Sequence, residues 1–293
     1  HHTIADGRSG IYLMRDILQG LCGKKFERSE LADAISLESA LPGIAPSPAA
    51  TPKPKDYVPP QSRSPRPHIR SIVLSPELTQ QTIQRSRAER TTVHGAIGAA
   101  FSIALAQQDV KGDALRCMHP VDVRSQLSLP IPEGVGLYIC LCMTSHYLQA
   151  DAAFWDVARS VKFQLSQIDI AQQLVEESQL RQPAMANLTD ATAFAEAGRS
   201  QYSCQLHVTN LGRIDLAQQY GNIRIEALHA PVVMPNVVER IVGVATLGDR
   251  LALTISSTPL MNVDRTQSDL AATDFLLEGV KHLELAVLQK VAS

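Results

Sequence analysis

Two adjacent histidines followed by an acid and a glycine, His1-His2-Thr3-Ile4-Ala5-Asp6-Gly7, are the residues of this 293-residue chain best suited to proton chemistry. A neutral imidazole near pH 7 is the best-poised general base among side chains. Asp6 stands four residues beyond His2, and Gly7 behind it permits backbone geometry that other residues resist, so the run reads as a tight turn. Neighbouring histidines point in different directions on most backbones, which makes shared coordination of one metal awkward. Two leading histidines are also what an expression tag leaves behind, and that is the bland alternative.

The other polar candidates are weaker. Asn210 and Gly212 are expected on a strand-exit loop, where Asn210 could donate to an oxyanion or acyl group. A plain turn explains the same two residue types equally well. Ser257, within Ser256-Ser257-Thr258, could line a substrate tunnel, although hydroxyls are commonplace at strand ends. His94, His119, His146, His207, His229 and His282 have no partner at a recognisable spacing and read as surface or satisfied core. Cys140 and Cys142 form Cys-x-Cys inside an apolar run and read as strand residues of the core. No glycine-rich phosphate loop is present, so nucleotide use is not indicated.

Positioning these groups requires a mixed α/β framework. A broad apolar face from Ile11 to Leu21, ending at Gly23, predicts a helix over 11–23. Nine of the 17 prolines fall between Pro42 and Pro67, where neither helix nor central strand can form. That stretch reads as an extended crossover between two halves, with a disordered joint as the alternative. The expected divisions are 1–41, carrying the histidine turn and its helix; the linker 42–67; and a C-terminal subdomain 68–293. Strands are predicted over 68–74, 115–123, 135–144, 202–209, 223–227, 237–247 and 251–256. Gly248-Asp249-Arg250 reads as a hairpin connection between the last two. Helices are predicted from Pro76 to about Arg87, from Val93 to Gln108, from Ala153 to Val175, and from Asp269 to Val291 with Ser268 as cap. The helix over 93–108 carries a face of Gly95, Ala96, Gly98, Ala99, Ala100 and Ala104, which suggests close packing against another element.

Composition narrows the function classes. With 27 basic and 29 acidic residues the formal charge is −2, so no field favours a polyanion. Aromatics are 4% with one tryptophan, too few for a base-stacking platform. No apolar run approaches the roughly 20 residues of a membrane span. Five cysteines at scattered spacings suggest neither a disulfide framework nor a zinc site, and a reducing cytoplasm is the expected location.

The run HHTIADG followed by RSGIYLMRDIL resembles the HHxxxDG motif and trailing helix of the chloramphenicol acetyltransferase-like superfamily. That superfamily includes condensation domains, plant BAHD acyltransferases and polyketide-associated diacyltransferases. Three further segments resemble the family in family order: TTVHGAIGAAFSIALAQ (91–107), HPVDVRSQLSLPIPEGVGLYICLC (119–142) and HVTNLGRIDLAQQYG (207–221). The resemblance implies an α/β (α+β, mixed-sheet) fold of two subdomains. It also implies that most of the N-terminal subdomain is missing from this chain, because family members carry about a third of the enzyme before the histidines. A separate N-terminal segment completing the fold is therefore an expected partner.

By the same resemblance His2 is the general base, and His1, Gly7, Asp6 and Arg124 are structural at the site, with Asp6 and Arg124 paired. Asn210, Gly212 and Ser257 are the expected substrate-binding residues. The implied reaction moves an acyl group from a thioester to an alcohol. The donor would be acyl-coenzyme A or a phosphopantetheine-linked acyl group on an acyl carrier protein, with no bound cofactor and no metal. Polyketide or lipid metabolism is the expected setting. An amide-forming condensation domain of nonribosomal peptide synthesis and a catalytically silent binding module are the alternatives.

Overall fold

The computed structural model describes residues 4–26, 35–41, 67–109, 114–148, 152–186, 203–233, 240–257 and 265–289. His1, His2 and the linker positions 42–66 lie outside the described residues. The chain divides into two compact units. One comprises residues 1–65, 121–140 and 169–201; the other comprises 66–120, 141–168 and 202–293. The division into 1–41, 42–67 and 68–293 therefore differs from this grouping, in which two segments from beyond the linker join the N-terminal residues.

The first unit contains α1 (Gly7–Leu21), α2 (Leu37–Ala40), the segment 121–140 with a 3-10 turn at Arg124–Gln126, and α6 (Ile170–Ala186). Helix α1 begins four residues before the predicted start. Asp6 is its N-cap, in extended conformation, and its carboxylate accepts the Ser9 amide. An acid at the cap satisfies an orphan amide and complements the helix dipole, so the helix can begin ahead of the apolar face.

The second unit is built on a six-stranded mixed sheet. Its strands are β1 (His68–Val73), β2 (Leu115–Asp122), β3 (Ile139–His146), β4 (Leu206–Ile214), β7 (Arg240–Leu247) and β8 (Arg250–Ser257). Their order is β1-β8-β7-β4-β2-β3. The β1/β8 and β7/β8 pairs are antiparallel, and the β4/β7 and β2/β4 pairs are parallel. Two short strands, β5 (Gln219–Tyr220) and β6 (Ile223–Arg224), form a separate ribbon, so the strand expected over 223–227 shrinks to two residues. Helices α3 (Pro76–Ala88), α4 (Val93–Asp109), α5 (Phe154–Ser166) and α7 (Arg265–Leu288) complete the unit.

One face of the sheet and these helices share the main core. Leu206, Val208, Val242, Val244, Leu253 and Ile255 from the strands are buried with Phe101 of α4 and Phe275 of α7. The two phenyl rings lie 5.4 Å apart. The small-residue face of α4 allows this packing. A Cβ on Gly95 would stand 2.6 Å from the Ala158 carbonyl oxygen of α5, and one on Gly98 would stand 3.3 Å from Val161.

Several boundaries move. The helix expected over 153–175 breaks at 167–169, because the Asp169 side chain caps a new helix by accepting the Gln172 amide. The strand expected over 135–144 begins at Ile139 instead: the Gly136 and Tyr138 amides are committed to the Ser9 and Asp6 side chains and are lost to the ladder. The last helix begins at Arg265, so Ser268 lies inside it rather than at its cap, and Asp269 is held by His68 and Arg70 of β1. Among the described residues no helix is long and apolar enough to cross a membrane.

Candidate active site

In the first unit the predicted pair is present: Arg124 Nη2 lies 2.8 Å from Asp6 Oδ2. The Asp6 side chain is almost wholly buried, and that of Arg124 is 12% exposed. The N–H groups of Nη2 point off the line to the carboxylate, so the contact is electrostatic rather than an aligned fork. Asp6 Oδ2 also accepts the Tyr138 amide at 3.0 Å, and Oδ1 accepts the Ser9 amide at 3.0 Å. The Ser9 hydroxyl accepts the Gly136 amide (3.1 Å) and shares its proton between Asp6 Oδ1 (3.0 Å) and the Gly136 carbonyl (2.9 Å). The Asp6 amide donates to the same carbonyl at 2.9 Å.

Burial raises the Asp6 pKa. The amides of Ser9 and Tyr138, the Arg124 charge and the Ser9 hydroxyl outweigh that effect and hold the carboxyl below its usual range. Asp6 is thus a fixed anion. The Arg124 guanidinium lies 4.8 Å from the Tyr138 ring centre, and the Tyr138 hydroxyl donates to the Ile35 carbonyl at 2.7 Å. The Tyr138 ring covers Gly136 so closely that a Cβ there would stand 2.2 Å from it, which explains the Gly-x-Tyr spacing. Gly7 is the first residue of α1, directly behind the cap.

Asp122 is a residue that sequence reasoning passed over. Its Oδ1 accepts both the Arg124 amide and Nη1, each at 3.1 Å, and its Oδ2 pairs with Arg8 Nε at 2.7 Å. The Asp-x-Arg spacing of residues 122–124 is the signal that could have found it: an acid two residues before an arginine can turn back onto that arginine's amide.

Asn210, Gly212 and Ser257 belong to the second unit. Asn210 and Gly212 are not on an exit loop. They lie inside β4, where the pairing with β7 shifts register between Asn210 and Arg213. Gly212 has φ +70°, and its amide donates to Asn210 Oδ1 at 2.7 Å. The strand thus continues through a bulge that only a glycine holds without strain, and the Asn210 carbonyl oxygen is spent inside it. Ser257 is the half-buried last residue of β8, opposite His68 and Arg240.

Three of the histidines read as surface or satisfied core, with no partner at a recognisable spacing, meet in the second unit. His94 Nε2 lies 2.9 Å from His119 Nδ1, and His119 Nε2 lies 2.9 Å from Thr144 Oγ1, which is also 2.9 Å from His146 Nε2. They come from α4, β2 and β3, so only the fold brings them together. Burial pushes His94 down to about 4. Burial, then the neighbouring imidazoles, drives His119 well below its ordinary value, and burial lowers His146. Cys140 and Cys142 are buried in β3. Among the described residues no group of three or more His, Cys, Asp or Glu side chains is arranged to hold a metal.

A family model described as the phthiocerol/phthiodiolone dimycocerosyl transferase C-terminus matches residues 63–255. No curated protein sequence matches the chain. Among solved structures, polyketide synthase associated protein 5 from Mycobacterium tuberculosis is 16% identical, with a TM-score of 0.61 over 97% of this chain and 73% of that one. The condensation domain of the monacolin K polyketide synthase is 13% identical, with a TM-score of 0.56 over 98% of this chain and 68% of that one. The trichothecene 15-O-acetyltransferase from Fusarium sporotrichioides is 12% identical, with a TM-score of 0.56 over 78% and 48%. At such identities the likeness is one of fold, the mixed α/β fold of acyltransferases and condensation domains. Because the matched region covers well over half of its residues, this chain belongs to the phthiocerol/phthiodiolone dimycocerosyl transferase C-terminus family, within the chloramphenicol acetyltransferase-like superfamily.

Proposed function

We propose that the chain is an O-acyltransferase that moves an acyl group from a thioester to an alcohol, with His2 as general base. The observation that carries this reading is the engagement of both Asp6 oxygens. Its carboxylate accepts the Ser9 amide and a shared Ser9 hydroxyl proton on one oxygen and the Tyr138 amide on the other, with the Arg124 charge 2.8 Å away. Held below its usual pKa by these groups, it is a poor acceptor for a proton relay. Asp6 acts as a brace, and proton transfer falls to the imidazole four residues earlier. His2 takes the proton of the acceptor hydroxyl as its oxygen attacks the thioester carbonyl. When the tetrahedral intermediate collapses, the C–S bond breaks and the imidazolium returns the proton to the departing thiolate. A positioned base of this kind contributes about 10² to 10⁴-fold in rate.

The donor in this reading is acyl-coenzyme A or an acyl group on a carrier protein, and the acceptor is a small alcohol, in polyketide or lipid metabolism. Ser257 and the Asn210–Gly212 bulge are assigned to substrate binding, with the Asn210 amide nitrogen as donor. A further polypeptide segment completing the N-terminal subdomain is the proposed partner. Support for it comes from α1, whose Leu13, Met14, Ile17 and Leu21 are 40–68% exposed along one face.

The experiment is free-thiol release from a panel of straight-chain acyl-coenzyme A thioesters with primary and secondary alkyl alcohols. His2→Ala is expected to abolish release with an unchanged melting temperature. Full activity in that variant ends the general-base reading. An inactive wild type across the panel, and with primary amines as acceptors as well, favours the binding module.

A further inference from the structure

We propose that Arg8 and Asp122 are positioning residues, forming a second latch that fixes the direction in which Arg124 holds Asp6. This rests on the acyl-transfer reading, because the latch matters for rate only if the turn leading to Asp6 carries the base.

Two Asp-x-Arg tripeptides face each other in the first unit: Asp6-Gly7-Arg8 at the start of α1, and Asp122-Val123-Arg124 before the 3-10 turn. Each acid pairs with the other's arginine, Asp6 with Arg124 at 2.8 Å and Arg8 with Asp122 at 2.7 Å. The charges alternate in space as Asp6, Arg124, Asp122, Arg8, and the α1 backbone closes the ring. The two halves differ in environment. The inner pair is 3% and 12% exposed, whereas Arg8 and Asp122 are 55% and 34% exposed. An exposed ion pair adds little to stability. Its effect here is geometric. Asp122 Oδ1 holds both the main chain and Nη1 of Arg124. Asp6 and Ser9 already hold the first turn of α1 to Gly136 and Tyr138. The outer pair adds a contact from Arg8 on the other side of Arg124, to the acid that itself holds the Arg124 main chain and Nη1.

Positioning predicts a signature that plain stabilisation does not. Arg8→Ala and Asp122→Asn in the full chain should each lower kcat at least ~tenfold, because ångström-scale misplacement alone can cost about 10²-fold. The thioester KM and the melting temperature should stay close to wild type. Amide exchange at Ser9 and Tyr138, the two donors to Asp6, should accelerate about tenfold, since exchange reports local opening. The double variant should cost no more than the larger single one, because one latch is broken once. Arg15→Ala is the control: it removes a 2.7 Å ion pair between α1 and Glu133 of the same segment and should change neither kcat nor exchange. Unchanged exchange at both amides overturns the latch, as do additive losses of kcat or a rise in KM at constant kcat. If wild type shows no thiol release, the acyl-transfer reading fails, and the exchange result still decides the latch.

Discussion

Removing the Asp6 carboxylate is the perturbation whose cost the structure lets us work out. Asp6→Ala deletes the N-cap of α1, worth about 1 kcal/mol. It also strands Arg124, whose side chain is 12% exposed, and breaking a buried ion pair by removing one partner costs about 3–5 kcal/mol. Asp122 still receives Nη1, so the pair's loss should fall at the lower end, and a total of about 4 kcal/mol is expected. Asp6→Asn retains an oxygen that can accept from Ser9 but turns an NH2 toward Arg124 and the Tyr138 amide. It should lose the ion pair and keep the cap, and so cost about 1 kcal/mol less. Urea unfolding, with both variants compared at equal slope, is the assay. A cost below about 1 kcal/mol for Asp6→Ala, or an Asp6→Asn variant as stable as wild type, would refute the reasoning. The acid limb supplies an independent check. The folded-state pKa of Asp6 lies below its unfolded value of about 3.9, so its contribution is complete above that pH and fades as pH falls through the folded value. Wild type should therefore lose stability below pH ~4 more steeply than Asp6→Asn.

Two further outcomes are expected. The His94–His119–His146 chain is neutral when folded, so the unfolded protein takes up protons below about pH 6.5 that the folded protein refuses. With its pKa pushed down to about 4, His94 alone should remove about 2 kcal/mol of stability between pH 7 and pH 5. His94→Gln should flatten that slope by the same amount in denaturant titrations, and an unchanged slope would show that the imidazole titrates freely. At the α4–α5 contact, Gly95→Ala places a methyl 2.6 Å from both the Ala158 carbonyl oxygen and Thr91 Oγ1. Overpacking should outweigh the better helix propensity and lower stability by about 1–2 kcal/mol, whereas Gly10→Ala, with nothing within 4 Å on α1, should raise it by about 0.5–1 kcal/mol in the same thermal melts.

What the sequence reveals here depends on range. The elements with strong local signals emerge close to their predicted bounds: β1, α3 with its Ser75 cap, the small-faced α4, and the β7–β8 hairpin around Gly248. The misjudged boundaries are those where a side chain or amide is captured from far away. The segment 135–138 has a strand's composition, yet Ser9 and Asp6 take its amides across more than 120 residues. Asn210 and Gly212 have a turn's composition, yet the parallel pairing of β4 with β7 carries the strand through them as a bulge. In the site, the Asp6–Arg124 pair is legible through family resemblance alone. For Asp122 the Asp-x-Arg spacing signals only its local contact with Arg124; its pairing with Arg8 comes from the fold and has no signal in the sequence. The histidine chain is invisible for the same reason: its members stand on three elements, and single-position reading reduces each to a core residue.

These histidines also show why the buried chain His94–His119–His146 offers no general base. Gln164 and Ser160 close the far end of the chain: Gln164 Nε2 donates to the Ser145 carbonyl at 2.9 Å and to Ser160 Oγ at 3.1 Å, and Ser160 Oγ lies 3.4 Å from His146 Nδ1. One consistent order has Ser160 donating to His146 Nδ1 and His146 Nε2–H donating to Thr144. The Thr144 hydroxyl donates to His119 Nε2, and His119 Nδ1–H donates to His94 Nε2. Every imidazole in this order carries one proton, and each shared contact has one donor and one acceptor. An added proton would set two donors against each other at one contact, so burial and hydrogen bonding oppose charge together. Such imidazoles hold structure and cannot accept a substrate proton.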